Sequence, residues 1–187
     1  MTASRENPVG ERVEDAATLA GVPDHFQRLW TPHRLVYVSD HSQPDANDCP
    51  FCAAPSKQDE DALIVHRGTT AFVILNLYPY NAGHLLVCPY RHVSMLDEAT
   101  DEEATEIIRL SQEAMRVLTA VSHPDGFNLG MNQGAVAGAG IAAHLHQHIV
   151  PRWSGDANFF PIIAQTKTVP FLLGQMREDI LEAWDAL

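Results

Sequence analysis

Apolar residues fall into two rhythms along this chain, and each predicts its own elements. Ile107, Leu110, Ala114, Val117, Leu118 and Val121 recur at helical spacing, which predicts one long helix with a single apolar face. Asp101 is the expected cap, Glu102 and Glu103 suit the positive end of the helix dipole, and Pro124 and Gly126 end the helix. Ahead of it, Ala62–His66, Ala71–Leu77 and His84–Cys88 are short β-rich runs. Gly68-Thr69 is a plausible tight turn between the first two, and Tyr78–Gly83 forms the loop before the third. After the helix, Phe127–Met131 reads as a strand and 132–143 as a loop of small residues. A second rhythm, of period two, follows in His144-Leu145-His146-Gln147-His148-Ile149-Val150. Val169–Leu187 is expected to close the chain as a helix after Pro170, with Phe171, Leu172, Met176, Ile180, Leu181 and Trp184 on one side.

The ends carry weaker patterns. Residues 1–22 are rich in Glu, Asp, Ala and Ser and read as a mobile arm. Asp24–Trp30 is a short helix limited by Pro32, and Arg34–Ser39 a strand. The polar stretch Asp40–Asp61, with Pro44, Pro50 and Pro55, reads as a loop holding two cysteines. No repeat and no second-domain signal appears, so 23–187 is expected to form one domain. Strands before and after one long helix predict an α+β fold on an antiparallel sheet.

Composition narrows the function classes. Hydrophobic residues make up 45% of the 187, a globular value. A net charge of -12 lacks the basic footprint of a nucleic-acid binder, although one small pocket can still hold a nucleotide. No apolar run is long enough to span a bilayer, and 1–20 has no apolar signal-peptide core, so a cytoplasmic protein is expected. Three cysteines, two of them in Cys49-Pro50-Phe51-Cys52, do not make a secreted disulfide framework.

The alternating histidines are the chemistry-bearing feature. Successive side chains of an extended strand point to opposite faces, so His144, His146 and His148 share one face. Three imidazoles in a row suit phosphate chemistry or metal binding better than a core.

These residues resemble the signature of the histidine triad family, three alternating histidines followed by apolar residues. The resemblance extends to Phe72–Asn76, Gly83–Pro89 and Phe127–Asn132, and covers roughly 62–152. Two outer segments, Leu29–Pro32 and Arg152–Phe159, look like the actinobacterial diadenosine-tetraphosphate phosphorylase branch of that family. The resemblance implies a homodimer with a sheet running across it, and a nucleotidyl transferase or hydrolase. It implies His146 as the nucleophile at an α-phosphorus, forming a nucleotidyl-histidine that phosphate or water then resolves. His148 would donate to a phosphate oxygen or to the leaving group. Asn76 would bind ribose hydroxyls, while Asn132 and the backbone N–H groups of the loop at Gly138 and Gly140 would hold phosphate. Many members carry Gln or Ser where this chain has Gly140 and Ile141, which puts phosphate preference and rate in question. His84 is expected to pack or hydrogen-bond, and Cys88 to be a buried core cysteine.

Cys49-x-x-Cys52 has a metal-knuckle spacing whose usual occupant is zinc. Several bacterial members look similar here, pairing the two cysteines with a histidine after the second-strand proline and with the first triad histidine. By that resemblance Cys49, Cys52, His92 and His144 form a closed structural zinc site, which removes His144 from catalysis. Diadenosine tetraphosphate is the favoured substrate. The rival readings are a nucleoside phosphoramidase, a nucleotide-binding module with little turnover, and a metal protein in which all three triad histidines are ligands.

Overall fold

The computed structural model describes residues 48–156 and 171–187. The expected arm, the helix Asp24–Trp30 and the strand Arg34–Ser39 lie outside the described residues. Five strands form one antiparallel sheet: β1 (Ile64–Arg67), β2 (Ala71–Leu75), β3 (Leu85–Pro89), β4 (Gly126–Gly130) and β5 (Gln147–Arg152). Their order across the sheet is β1-β2-β3-β5-β4. Among the described residues the α-helices are α1 (Pro50–Ala53), α2 (Asp59–Ala62), α3 (Asp101–Ser122) and α4 (Leu173–Asp185). The α+β expectation is therefore met. Among the described residues, no helix is long and apolar enough to cross a membrane.

The two faces of the sheet bury different sets of side chains. Val73, Leu75, Leu85, Val87 and Ile149 face Ile107, Leu110, Val117 and Leu118 of α3 and Met176, Ile180 and Trp184 of α4. Burying a Leu such as Leu110 or Leu118, both fully enclosed, stabilises by about 2 kcal/mol. On the opposite face, Ile64, Phe72, Ile74, Leu86 and Cys88 pack under Cys49, Phe51 and Ala54. That second cluster meets the histidines through Phe51 and Cys49.

Several boundaries differ from the sequence expectation. The cysteine loop contains α1 and α2: Pro50 stands at the first helical position, where its missing N–H costs nothing, and Cys49 precedes it in extended backbone. Leu63 ends α2 in the left-handed region, φ 60°, so β1 begins at Ile64 and not at Ala62. A bulge between Ile64 and His66 lets Val65 and His66 both face the helices. His66 stacks on Trp184 with ring centroids 4.7 Å apart, and its burial lowers its pKa.

The cap of α3 is Thr100, not Asp101. The Thr100 hydroxyl accepts from the Glu103 N–H (3.2 Å), and the Glu103 carboxylate accepts from the Thr100 N–H (2.8 Å). This reciprocal pair satisfies two donors that a helix start otherwise strands. At the far end His123 adopts φ 47° and terminates the helix just before Pro124. The closing helix starts at Leu173, not Val169. Met176, Ile180 and Trp184 are its buried stripe, while Phe171 and Leu172 are exposed ahead of it.

Candidate active site

The histidine strand enters its ladder later than the alternation suggests. Pairing with β3 begins at Gln147, opposite Val87, and His148 sits opposite Leu86. Before that, Leu145 N–H donates to the Val93 carbonyl (2.6 Å), so His144 and His146 lie on an extended approach outside the ladder. The alternation of faces persists. Leu145 and Ile149 join the helix-side core, and the three histidines lie on the other face. Phe51 of α1 sits between that face's apolar cluster and the site, 5.5 Å from the His144 ring and 5.1 Å from the His146 ring.

Backbone carbonyls fix the tautomers of two histidines. A carbonyl only accepts, so the His146 Nδ1 that stands 2.7 Å from the His144 oxygen carries the proton. The His146 Nε2 then holds a lone pair. Burial lowers the His146 pKa, against the opposing pull of that carbonyl, and so favours the neutral ring. In His144 the roles are reversed: Nε2 donates to the Pro89 carbonyl (2.9 Å), leaving the lone pair on Nδ1.

The His144 lone pair faces two sulfurs. Its Nδ1 is 3.4 Å from Sγ of Cys49 and 3.4 Å from Sγ of Cys52, and His92 Nδ1 is 3.2 Å from Sγ of Cys52. One ligand atom from each of the four residues lies within 4.8 Å of the others. Tetrahedral zinc with S and N ligands at their usual lengths separates S from N by about 3.6 Å, so the donor set and its spacing fit that ion. Burial, with Cys49 beside it, pushes the Cys52 thiol up to about 11, so the bare pair resists ionising; a divalent cation would reverse that. The Pro89 carbonyl supplies the outer hydrogen bond that orients His144. His92 is carried by the turn after β3, which Arg91 anchors through Glu103 (2.6 Å) and the Glu98 carbonyl (2.7 Å).

The remaining expected residues gather unevenly. His148 lies beside His146, ring centroids 4.8 Å apart. Asn132 is half-buried in the turn two residues past Gly130, which pairs with His148. Asn76 follows the last residue of β2 with its amide in the turn: Oδ1 accepts from the Tyr78 N–H (3.0 Å), and Nδ2 faces His84 Nδ1 (3.2 Å). An amide has two N–H groups and two lone pairs, so capacity for a ribose hydroxyl remains. Gly138 has φ +82°, a left-handed conformation that favours glycine. A side chain at Gly140 would enter open space. Ile141 packs on the cluster of Phe51 and Cys49.

His84 hydrogen-bonds, as the sequence predicts, but its partner His148 and the contacts of Asp156 were missed. Fully buried His84 places Nε2 2.9 Å from Nδ1 of His148, and the Tyr80 ring lies over both imidazoles. Asp156 accepts from Arg152 (2.5 Å) and Asn81 (2.8 Å), tying the end of β5 to the loop before β3; these bonds hold its carboxyl well below the usual range. A buried histidine just ahead of the neighbouring strand β3 and an aspartate past the end of β5 leave no periodic signal in a sequence.

The chain matches the family model described as the HIT domain over residues 57–155. It is 46% identical over 170 residues to a protein of Mycobacterium tuberculosis named AP-4-A phosphorylase, covering 88% of this chain and 87% of that one. It is 31% identical over 101 residues to the asymmetrical bis(5'-nucleosyl)-tetraphosphatase of Schizosaccharomyces pombe, 54% of this chain and 55% of that one. Among solved structures, a Zn-bound histidine triad family protein from Mycobacterium smegmatis shares the fold, with TM-score 0.62 at 23% identity over 76% of this chain and 96% of that one.

Proposed function

This chain belongs to the histidine triad family, and from that premise we propose that it cleaves dinucleoside polyphosphates, diadenosine tetraphosphate first among them, by way of a nucleotidyl-histidine at His146. The observation that carries the reading is the 2.7 Å bond from His146 Nδ1 to the His144 carbonyl, which leaves Nε2 as a lone-pair nucleophile in a neutral ring. The names of the mycobacterial and yeast relatives support the substrate class.

In the first step the Nε2 lone pair forms a bond to the α-phosphorus. The bond from phosphorus to the bridging oxygen breaks, and its electron pair leaves with the polyphosphate, which is stable as an anion near neutrality. His148 donates a hydrogen bond to the departing oxygen. Asn132 and backbone N–H groups at Gly138 and Gly140 donate to the oxygens of the transferred group. Asn76 holds ribose. In the second step inorganic phosphate attacks the same phosphorus, releasing ADP and restoring His146. The open space beside Gly140 supports an acceptor larger than water.

Cys49, Cys52, His92 and His144 would hold zinc with no position left for substrate, so its part is to fix the turn carrying His144. The chain would act as a homodimer and as a cytoplasmic enzyme. Product analysis of diadenosine tetraphosphate, with and without inorganic phosphate, tests the reaction. ADP plus ATP formed only with phosphate is expected. AMP plus ATP without phosphate would make water the acceptor, and no turnover of this substrate would defeat the reading.

A further inference from the structure

The backbone N–H of Leu96 donates to Oε1 of Gln133 at 2.7 Å. Only the oxygen of a side-chain amide accepts, so this donor fixes which way the Gln133 amide faces. The bond joins segments 37 residues apart in sequence. One is the turn between β3 and α3, and the other is the turn that follows β4.

The donor is firmly seated. Leu96 opens the short 3₁₀ turn Leu96–Glu98, and N–H groups at such a start need acceptors from outside the helical ladder. The Glu98 carboxylate takes those of Ser94 (2.9 Å) and Met95 (3.1 Å), and Gln133 takes that of Leu96. Arg91 holds the same turn by donating to the Glu98 carbonyl (2.7 Å). The Val93 carbonyl accepts from Leu145, the residue between His144 and His146 (2.6 Å). One short segment therefore fastens both the approach of the histidine strand and the turn beyond β4.

The acceptor belongs to the turn that carries Asn132. β4 ends at Gly130, paired with His148, and Asn132, Gln133 and Gly134 come soon after. Gly134 bends the chain with φ +79°, a left-handed backbone that favours glycine. Asn132 has a short stem, so the aim of its amide follows the backbone. Holding Gln133 against Leu96 holds the neighbouring backbone of Asn132 as well.

We propose that Gln133 is a positioning residue for the reaction: by anchoring its turn to Leu96 it aims the Asn132 amide at the oxygens of the transferred phosphoryl group. The proposal rests on Asn132 being a donor to that group. Gln133 itself meets no reacting atom, and no proton moves at it. Its bond is exposed, so water can replace it with little loss of stability. Water cannot replace the placement, and a misplacement of about 1 Å can cost roughly 100-fold in rate.

Turnover of diadenosine tetraphosphate with inorganic phosphate tests the idea in four variants. Gln133→Met keeps the length of the side chain and loses the acceptor. It is expected to lower kcat at least about tenfold, with KM within about threefold and Tm within about 4 °C of native. Gln133→Glu keeps an oxygen in the place of Oε1 and is expected to recover most of the loss. Asn132→Ala is expected to lower kcat roughly 100-fold. Adding Gln133→Met to Asn132→Ala is expected to change nothing further, because a residue that acts through another has no effect once the other is gone. Undiminished kcat in Gln133→Met, or losses that multiply in the double variant, overturns the proposal.

Hydrogen exchange at the Leu96 amide reads the bond without reference to activity. Protection is expected in the native protein and in Gln133→Glu, and its loss in Gln133→Met. A native Leu96 amide that exchanges like an open one would also overturn the proposal. Absence of turnover by the native protein, or full turnover in Asn132→Ala, would defeat the parent reading and the proposal with it. An unimpaired Gln133→Met beside an impaired Asn132→Ala would defeat the proposal alone.

Discussion

His146 and His144 are joined through the main chain: Nδ1 of His146 donates to the His144 carbonyl at 2.7 Å, while the ring of His144 turns its Nδ1 to the sulfurs of Cys49 and Cys52, each at 3.4 Å. The residue that completes the Cys/His cluster is thus the residue whose carbonyl sets the tautomer of His146, the proposed nucleophile. Losing the metal frees the His144 ring and loosens the carbonyl, without removing a group that touches substrate. Purified protein is expected to hold one zinc per chain. Cys52→Ser should lose it, lower Tm by roughly 6–12 °C, as a cost of about 3 kcal/mol does in a domain of this size, and reduce kcat while KM stays near its native value. Metal analysis, thermal unfolding and kinetics read the three effects. Full-length protein without zinc but with undiminished Tm and kcat would defeat the assignment.

His146→Ala removes the lone pair and little else. The ring packs on Phe51 and bonds one carbonyl, so the fold should survive with a cost of about 1–2 kcal/mol. Turnover should fall by roughly 10⁴-fold or more, as it does when a covalent nucleophile is deleted. Incubation with α-labelled nucleotide, followed by acid-free gel analysis, should show label on the native chain and none on the variant. Label retained by the variant would move the nucleophile elsewhere.

What the sequence discloses, and what it withholds, follows from the range of the signal. The α3 stripe from Ile107 to Leu118 and the strand runs at Ala71 and Leu85 are local periodicities, and both appear where expected. The four metal-binding candidates converge as the resemblance implies, because Cys49 and Cys52 share one turn and the other two flank the sheet. Thr100 capping α3 in place of Asp101 is a one-residue choice between two good caps. The bulge that turns Val65 and His66 to the same side breaks the period of two from which a strand is read. His84 is set by pairing of distant strands, since β3 must lie beside β5 before its Nε2 can meet His148.

Glu106 makes stability depend on acid. Its carboxylate accepts from the N–H groups of Thr69 (3.0 Å), Thr70 and Ala71 (3.1 Å) and from the Thr70 hydroxyl (2.7 Å), and pairs with Arg109 (2.8 Å). Burial alone would raise its pKa, but the bonds from Thr70, Thr69 and Arg109 outweigh that and hold it at about 2 against an ordinary 4.5. The unfolded chain therefore binds the proton more readily between those values. The contribution is complete above the unfolded value and is lost as pH falls from about 4.5 through about 2. Glu106→Gln should cost about 2–3 kcal/mol at neutral pH, since bonds to a charged acceptor weaken, and should flatten the acid limb. Urea unfolding at several pH values measures both. An unchanged acid slope in the variant would rule Glu106 out as its source.

Gly140 offers a test of the acceptor. A side chain there meets nothing within 4 Å, so Gly140→Gln should fold, with stability within about 0.5 kcal/mol of the native protein. A long amide in that space would occupy the room a tetrahedral phosphate needs, while leaving room for water. The ratio of phosphorolysis to hydrolysis should therefore fall by at least about tenfold, a shift of roughly 1.4 kcal/mol between the two transition states. Product ratios at fixed phosphate read the change. An unaltered ratio would show that phosphate enters from another side.

The two ends of the sheet differ in how their outer backbone is protected. At one end β1 is short and bulged, its Arg67 pairs with Asp59, and Arg177 from α4 donates to the Ile64 carbonyl. These are devices that stop an edge from pairing with another chain. At the other end β4 reads Gly126-Phe127-Asn128-Leu129-Gly130, without charge or proline, and pairs with β5 on one side. Leu129 is 46% exposed there. A strand of this kind is a template for a second copy, and two such edges related by a twofold axis would continue the sheet from one protomer into its partner. A lysine at 129 places a like charge on both copies at the join. The native protein is expected to sediment as a dimer at about 10 µM, a concentration at which an interface stronger than roughly 8 kcal/mol is populated. Leu129→Lys should sediment as a monomer with its helix content intact by circular dichroism. A variant that stays dimeric would place the interface away from β4, and a native monomer would rule the interface out.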